Sequence, residues 1–299
     1  ICDEPGASKF PVLAKIVDAF RRIDPERKTF INLLPIYAGA EMLGADTYSD
    51  YLDLFCKTVN PHYLCYDYYE FLGIGRTTQK RGTYFTNLKA VKDVADKYGL
   101  ETRIIVLLTE HGVYSNVTRA EIAWQANTSL LYGLKGLSYF TYSHPGDDTS
   151  FIWKNSMIDK NGEATQHYYD VQSENKITRV LGNALYHTSS DKVFKLNADG
   201  VTDVEEYEKY GRLRSVTGQN ALIGFYDNGW FMIMSSCSAS EEGSCTVTAN
   251  KIKGTLLWLN PDSACWEYAD TCSYITENSG GGYTISLPAG QALLLCSIT

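Results

Sequence analysis

Acidic residues at three places in this chain could do chemistry. Asp3 and Glu4 stand in Ile-Cys-Asp-Glu-Pro5, directly behind apolar residues. Asp67 stands in Leu-Cys-Tyr-Asp-Tyr-Tyr69, and Glu110 ends the run Ile-Ile-Val-Leu-Leu-Thr-Glu110, followed by His111 and a turn-permitting Gly112. Cleavage of a glycosidic bond needs two carboxyls facing one bond: one protonates the leaving oxygen, the other attacks or activates water. On that scheme Glu4 is the proton donor, held near a strand end by Pro5 and kept protonated by apolar or like-charged neighbours. Glu110, ionised, is the nucleophile. Asp67, flanked by aromatics, is costly to bury without a role or a partner. It orients Glu110, contacts a sugar hydroxyl, or is itself the second carboxylate. The structural alternatives are helix-cap acids for Asp3 and Glu4 and a solvated loop acid for Glu110.

Sugar rings offer apolar C–H faces to aromatic side chains and hydroxyls to polar ones. Tyr66, Tyr69, Tyr142 and His144 are candidates for the first task, Asn32 and His111 for the second. Alternate residues of a strand point away from a site, so part of the aromatic set belongs to the core. The histidines lack metal-like spacing, and neither a metal-hydrolase motif nor a Ser-His-Asp motif is present. No metal or cofactor is implied.

The elements that must position these residues alternate. Helical stripes over 9–22, 47–58, 87–98, 118–132 and 164–186 are separated by short apolar strands at 29–35, 62–68, 101–109 and 136–142. Thr118-Arg-Ala-Glu121 is a capping box, with Val117 and Ile122 placed as its hydrophobic staple. This rhythm implies βαβ units and a parallel sheet. No Gly-x-Gly-x-x-Gly follows a strand, which speaks against a dinucleotide-binding fold. The polar candidates fall just past strand carboxyl ends, where a (β/α)8 barrel keeps its active site. The expected fold class is therefore α/β: the C-terminal half of a TIM barrel over 1–188, followed over 189–299 by an antiparallel β-sandwich, where helical stripes stop and short strands with Asn-Gly and Gly-Gly turns begin. A half barrel has an open sheet edge and an unfilled interior. A missing N-terminal half-barrel polypeptide is thus expected as a partner.

With 299 residues, 44% apolar and 21% charged, the chain has the composition of a globular protein. No apolar run approaches the ~18–20 residues of a membrane span. A net charge of −8 without a basic cluster argues against nucleic acid. Of the eight cysteines, Cys237 with Cys245 and Cys265 with Cys272 flank turn-rich sequence and suit disulfide-closed hairpins. Asn116-Val-Thr118 and Asn127-Thr-Ser129 are glycosylation sequons. Together these favour a secreted or extracellular glycoprotein.

The sequence also resembles glycoside hydrolase-like (β/α)8 proteins of the β-galactosidase and cellulase clan type with an appended C-terminal β domain. Asp3-Glu-Pro5, Phe20-Arg-Arg-Ile-Asp-Pro25, Asn32-Leu-Leu-Pro35, Tyr66-Asp-Tyr-Tyr69 and 132–142 carry the likeness, and Leu287-Pro-Ala-Gly-Gln-Ala-Leu-Leu-Leu295 is similar to the closing strand of such β domains. The resemblance implies a glycosidase with its acid/base glutamate after barrel strand four and its nucleophile after strand seven. Counting back from 136–142 as strand eight puts Glu4 and Glu110 on those positions and makes Ile1-Cys2 the tail of strand four. Asp3 stands where the clan usually has Asn. Relatives of this type keep the Tyr-Asp of strand six more firmly than a strand-seven glutamate, which gives Asp67 added weight. A non-catalytic glycan-binding or structural protein on the same barrel is the rival expectation, since fold does not fix function.

Overall fold

The computed structural model describes the chain except residues 75–76, 148–150, 214, 240–242, 251, 253 and 299, with backbone only at 74, 77 and 78. It forms two compact units: residues 1–107 with 134–140, and residues 108–133 with 141–299.

The first unit is built on a parallel sheet. Strands β1 (Cys2–Asp3), β2 (Ile31–Leu33), β3 (Tyr63–Tyr68), β6 (Glu101–Leu107) and β7 (Gly136–Phe140) lie in the order β1-β2-β3-β6-β7, and every neighbouring pair is parallel. Helices α1 (Phe10–Ile23), α3 (Tyr48–Val59) and α4 (Tyr84–Tyr98) accompany it, with α2 (Ala40–Leu43) a single turn between. Helix α4 packs on β3 and β6, and α3 packs between α4 and α1. Alternation along β6 follows from this: Thr102, Ile104 and Val106 are buried, while Glu101, Arg103 and Ile105 on the other face are half-buried. An antiparallel hairpin, β4 (Phe71–Ile74) with β5 (Thr77–Lys80), follows β3.

Helix α1 starts at Phe10 with Pro11 in its first turn, close to the stripe expected over 9–22. Its inner stripe of Phe10, Leu13 and Val17 is buried. A second stripe, Val12, Phe20 and Ile23, is exposed and lines a surface hollow of about 420 Å³ with Ile16 and Ala19. In the sheet, β1 and β7 each have one neighbour.

The second unit contains α5 (Arg119–Leu131), α6 (Gln166–Leu185) and two sheets. A seven-stranded sheet runs β15-β14-β18-β12-β11-β8-β9, formed by β15 (Cys265–Tyr268), β14 (Thr255–Asn260), β18 (Ala292–Ile298), β12 (Phe231–Ser235), β11 (Ala221–Tyr226), β8 (Ser190–Leu196) and β9 (Glu205–Glu206). A four-stranded sheet runs β10-β13-β17-β16, formed by β10 (Val216–Gln219), β13 (Cys245–Ala249), β17 (Tyr283–Leu287) and β16 (Ile275–Glu277). Apart from the parallel β8–β9 pair, these ladders are antiparallel. Phe194, Ile223, Phe225, Ile233 and Leu295 of one sheet and Val247, Ile285 and Leu287 of the other share one apolar core.

Helix α5 is buried on every side from Glu121 to Leu131. The Trp124 indole donates to the Ser236 carbonyl at 3.0 Å, and the Tyr226 hydroxyl donates to the Leu130 carbonyl at 3.0 Å. Its start is the predicted capping box, Thr118 with Glu121, and Val117 and Ile122 are both buried. Arg119 pairs with the buried Glu174 of α6 at 2.8 Å.

The expected bridges Cys237–Cys245 and Cys265–Cys272 are not formed. Cys265 lies exposed on β15 while Cys272 is buried, so the two thiols face different surroundings. Cys245 is buried in β13 beside Cys237, and burial pushes its thiol up to about 12. The ladders and the shared core close this unit without a cross-link. Among the described residues no helix is long and apolar enough to cross a membrane.

Gly290, in the β17–β18 turn, shows how tightly α5 is seated. It has φ +76°, its carbonyl accepts from Asn127 Nδ2 at 2.8 Å, and a Cβ there would lie 2.2 Å from the Ala120 carbonyl oxygen. The Gly290→Ala change should therefore destabilise the protein by about 2–4 kcal/mol. An unchanged urea midpoint would show that α5 is not held against this turn.

Candidate carboxylate site

Strands β1, β2 and β3 carry an acidic cluster in the first unit. Their register sets Asp3 beside Asn32 and Asn32 beside Cys65, two residues before Asp67. Asn32 is buried, and its amide nitrogen donates both ways: to Asp3 Oδ1 at 3.0 Å and to Asp67 Oδ1 at 2.8 Å. Glu4 leaves the end of β1 with φ +44°, a region that non-glycine residues rarely occupy. Its backbone N–H donates to the Asn32 carbonyl at 2.9 Å, and its carboxyl hydrogen-bonds that of Asp67. From α3, the Tyr51 hydroxyl donates to the Pro5 carbonyl at 2.8 Å and fixes the chain just beyond Glu4.

The electrostatics follow from this packing. Asp67 is 5% exposed, and burial together with the Glu4 charge pushes its carboxyl up to about 7, against the opposing bond from Asn32. Glu4 is exposed as a residue, yet partial burial of its carboxyl and the neighbouring Asp3 charge raise it, with the Asp67 bond acting the other way. Both carboxyls are therefore easier to protonate than an ordinary one.

Glu70 was missed in the sequence. It is 3% exposed, and burial pushes it up to about 7. Its Oε1 accepts from the Gly82 N–H at 3.3 Å and its carbonyl from the Arg81 N–H at 2.9 Å, so it clasps the foot of the β4–β5 hairpin. The signal for it was an acid directly after Tyr68-Tyr69 at the end of an apolar strand, the same signal that singled out Asp67.

The aromatic candidates of this unit separate. Tyr66 is fully buried among Tyr48, Tyr84 and Asn87 on the helical side of the sheet, so it is a core residue and not a sugar platform. Tyr69 packs on Phe140, with ring centroids 5.7 Å apart.

In the second unit, Glu110 is an ion-paired carboxylate. Lys154 Nζ lies 2.9 Å from Oε1 and Asn155 Nδ2 lies 3.3 Å from Oε2, while reciprocal backbone bonds of 3.0 Å tie Glu110 to Lys154. His111 is buried, stacks on Trp153 at 4.5 Å and meets Tyr114 at 4.8 Å. Burial lowers its pKa, and Nδ1 bonds the Thr109 carbonyl at 2.7 Å. His144 is fixed within its loop: Nδ1 accepts from the Gly146 N–H at 3.0 Å, which leaves Nε2 to donate to the Trp153 carbonyl at 3.1 Å. Tyr142 is exposed and edges a groove of about 580 Å³ with Met157, Tyr168, Gln172, Lys176 and Arg179. Among the described residues no group of His, Cys, Asp and Glu converges as a metal centre would require.

No protein-family model matches the chain. No curated protein matches it in sequence. Among solved structures it is similar to a β-galactosidase from the psychrophilic Marinomonas ef1, at 9% identity and TM-score 0.44 over 60% of this chain and 28% of that one. A structure titled glycoside hydrolase is similar at 12% identity and TM-score 0.43 over 97% and 68%. An endo-β-1,4-mannanase from Thermotoga petrophila is similar at 8% identity and TM-score 0.35 over 98% and 62%. The chain thus spans 28% of the β-galactosidase and 62% of the mannanase.

Asn127 cannot serve as a glycan acceptor in the folded chain, because its amide is 4% exposed and donates to Gly290. Asn116 is exposed ahead of α5. Expression in a glycosylating host should give a glycosidase-sensitive mass shift that Asn116→Gln removes and that owes nothing to Asn127. Sugar at position 127 would mean that α5 is exposed before the chain folds.

Asp67 and Glu70 also set a pH dependence. Both reach about 7 in the fold, against about 4 in an unfolded chain. The unfolded chain gives up these protons first, so stability is highest below about pH 4 as far as these groups act, and falls as pH rises to about 7. Asp67→Asn should flatten part of that slope in urea midpoints measured from pH 4 to 7. An unchanged slope would show that Asp67 is ionised in the fold.

Proposed function

We propose that the protein is a glycoside hydrolase that cleaves an extracellular oligo- or polysaccharide, with Glu4 as acid/base and Glu110 as nucleophile. The observation that carries this reading is the meeting of the Glu4 and Asp67 carboxyls at the ends of parallel strands, both raised above the ordinary carboxyl range. A proton donor at neutral pH needs a raised carboxyl of this kind. The ion pair with Lys154 supports Glu110 in its part, because a nucleophile must be ionised. Tyr142, exposed at its groove, supports a stacking role, and Tyr69, His111 and His144 complete the proposed sugar contacts. The exposed sequon at Asn116 supports an extracellular setting.

The reading includes further β/α units that complete the sheet, from a preceding segment or a second polypeptide. The single neighbours of β1 and β7 and the exposed apolar stripe of α1 support this. A boundary between a barrel-type part, 1–188, and a β-sandwich, 189–299, is supported by the change from α6 to β8 across residues 185–190. The second reading is a non-catalytic glycan-binding protein. It is favoured by Glu110, whose two oxygens are both engaged, by Lys154 and Asn155.

A panel of aryl glycosides tests the choice. The hydrolase reading expects turnover, with kcat/KM reduced about 10²–10⁴-fold by Glu4→Gln and by Glu110→Gln. Glycan binding without turnover on any member of the panel selects the second reading, and full activity in Glu4→Gln removes Glu4 from the acid role.

A further inference from the structure

Asp67 is the most deeply buried of the three candidate acids. It is 5% exposed at the end of β3, its Oδ1 is held by Asn32 at 2.8 Å, and its carboxyl bonds that of Glu4. The same Asn32 amide holds Asp3, and the Asn32 carbonyl holds the backbone of Glu4. One residue of β2 therefore fixes both ends of the contact. The backbone of Glu4 is held at positive φ while making it, a conformation that persists only where the surroundings enforce it. Two carboxyls in hydrogen-bonding contact cannot both be ionised cheaply, so a proton belongs between them. The groups acting most strongly on the pair are the Asp3 charge and the Asn32 amide, with burial, and none of them is a cation. Beyond these, Cys65 of β3 and Tyr48 and Tyr51 of α3 face it.

We propose that Asp67 is a positioning residue that shares a single proton with Glu4, so that the two carboxyls act as one acid–base unit. This rests on the hydrolase reading for its chemistry. In the first step Glu4 gives the shared proton to the leaving oxygen as the glycosidic C–O bond breaks and the nucleophile bonds the anomeric carbon. The pair is left with two negative charges. In the second step Glu4 takes a proton from the water that displaces the nucleophile, and the pair again holds one proton. The Asp67 charge makes the ionised Glu4 a stronger base for that step.

Carbon-13 NMR of the side-chain carboxyls, labelled in Asp and Glu and followed from pH 3 to 9, tests the sharing without any substrate. In the unmodified protein the Glu4 and Asp67 signals should move together in the same two steps, the upper one near 7. In Asp67→Asn, Glu4 should lose the upper step and titrate once, about one to three pH units below it. In Glu4→Gln, Asp67 should likewise titrate once, so a variant that fails to fold leaves the other informative. The basic limb of kcat/KM should move down with the Glu4 titration in Asp67→Asn, whereas a purely structural role would lower activity without moving the limb. Independent single-step titrations of the two carboxyls in the unmodified protein overturn the proposal, even if glycosides are turned over. Coupled titration without turnover retains the sharing and overturns the hydrolase reading alone.

Discussion

One side-chain amide joins the acids of the first unit. Asn32 sits on the middle of three parallel strands and spends both amide hydrogens on carboxylate oxygens, one on each flanking strand. Parallel pairing makes this possible, because it brings strand ends of distant sequence to the same rim in register. Burying like charges is unfavourable unless they are neutralised or bonded. Here one amide, and in the proposed pair one shared proton, supply what a cation supplies elsewhere. The positive φ of Glu4 belongs to the same constraint: the residue turns out of the strand while its N–H stays bonded to β2.

The second unit is organised around a different buried element. Helix α5 has little amphipathic character because every side from Glu121 onward is covered. Its polar residues are accommodated by specific bonds, Asn127 to the Gly290 carbonyl and Thr128 and Ser129 back to carbonyls of the preceding turn. The neighbouring strands are shaped to receive it. Gly224 on β11 stands where a Cβ would lie 2.5 Å from the Leu131 side chain, and the Gly290 turn approaches the Ala120 backbone just as closely. These contacts use residues far apart in sequence, so the sequon at Asn127 gives no local warning of burial.

Much of the framework was legible in the residues. Of the helical stripe Phe10, Leu13, Ile16, Val17 and Phe20, the first two and Val17 are buried while Phe20 is exposed; the stripe Tyr48, Tyr51, Leu52 and Phe55 is buried throughout. The capping box at Thr118 is formed as its spacing required. The strands carrying Asn32 and Asp67 were readable as short apolar runs at 29–35 and 62–68, each interrupted by a polar residue. The β4–β5 hairpin was not, because Phe71–Lys80 lacks a sustained alternation, and Glu70 went with it. Tyr66 and Tyr69 looked alike in a run of tyrosines. Strand parity sends the first into the helix layer, where burial is complete.

Periodicity, caps and turn residues act over a few positions, so the sequence by itself determined the order and type of the main elements and which strand ends bear acids. Which acid meets which, and which of them keeps a proton, was decided only by the tertiary structure. Hydrogen bonding and desolvation depend on distances between strands and on what covers them, and these are properties of the packed sheet. Glu4 and Asp67 are separated by the whole of α1, β2 and α3 in sequence, yet their carboxyls share a hydrogen bond in the fold.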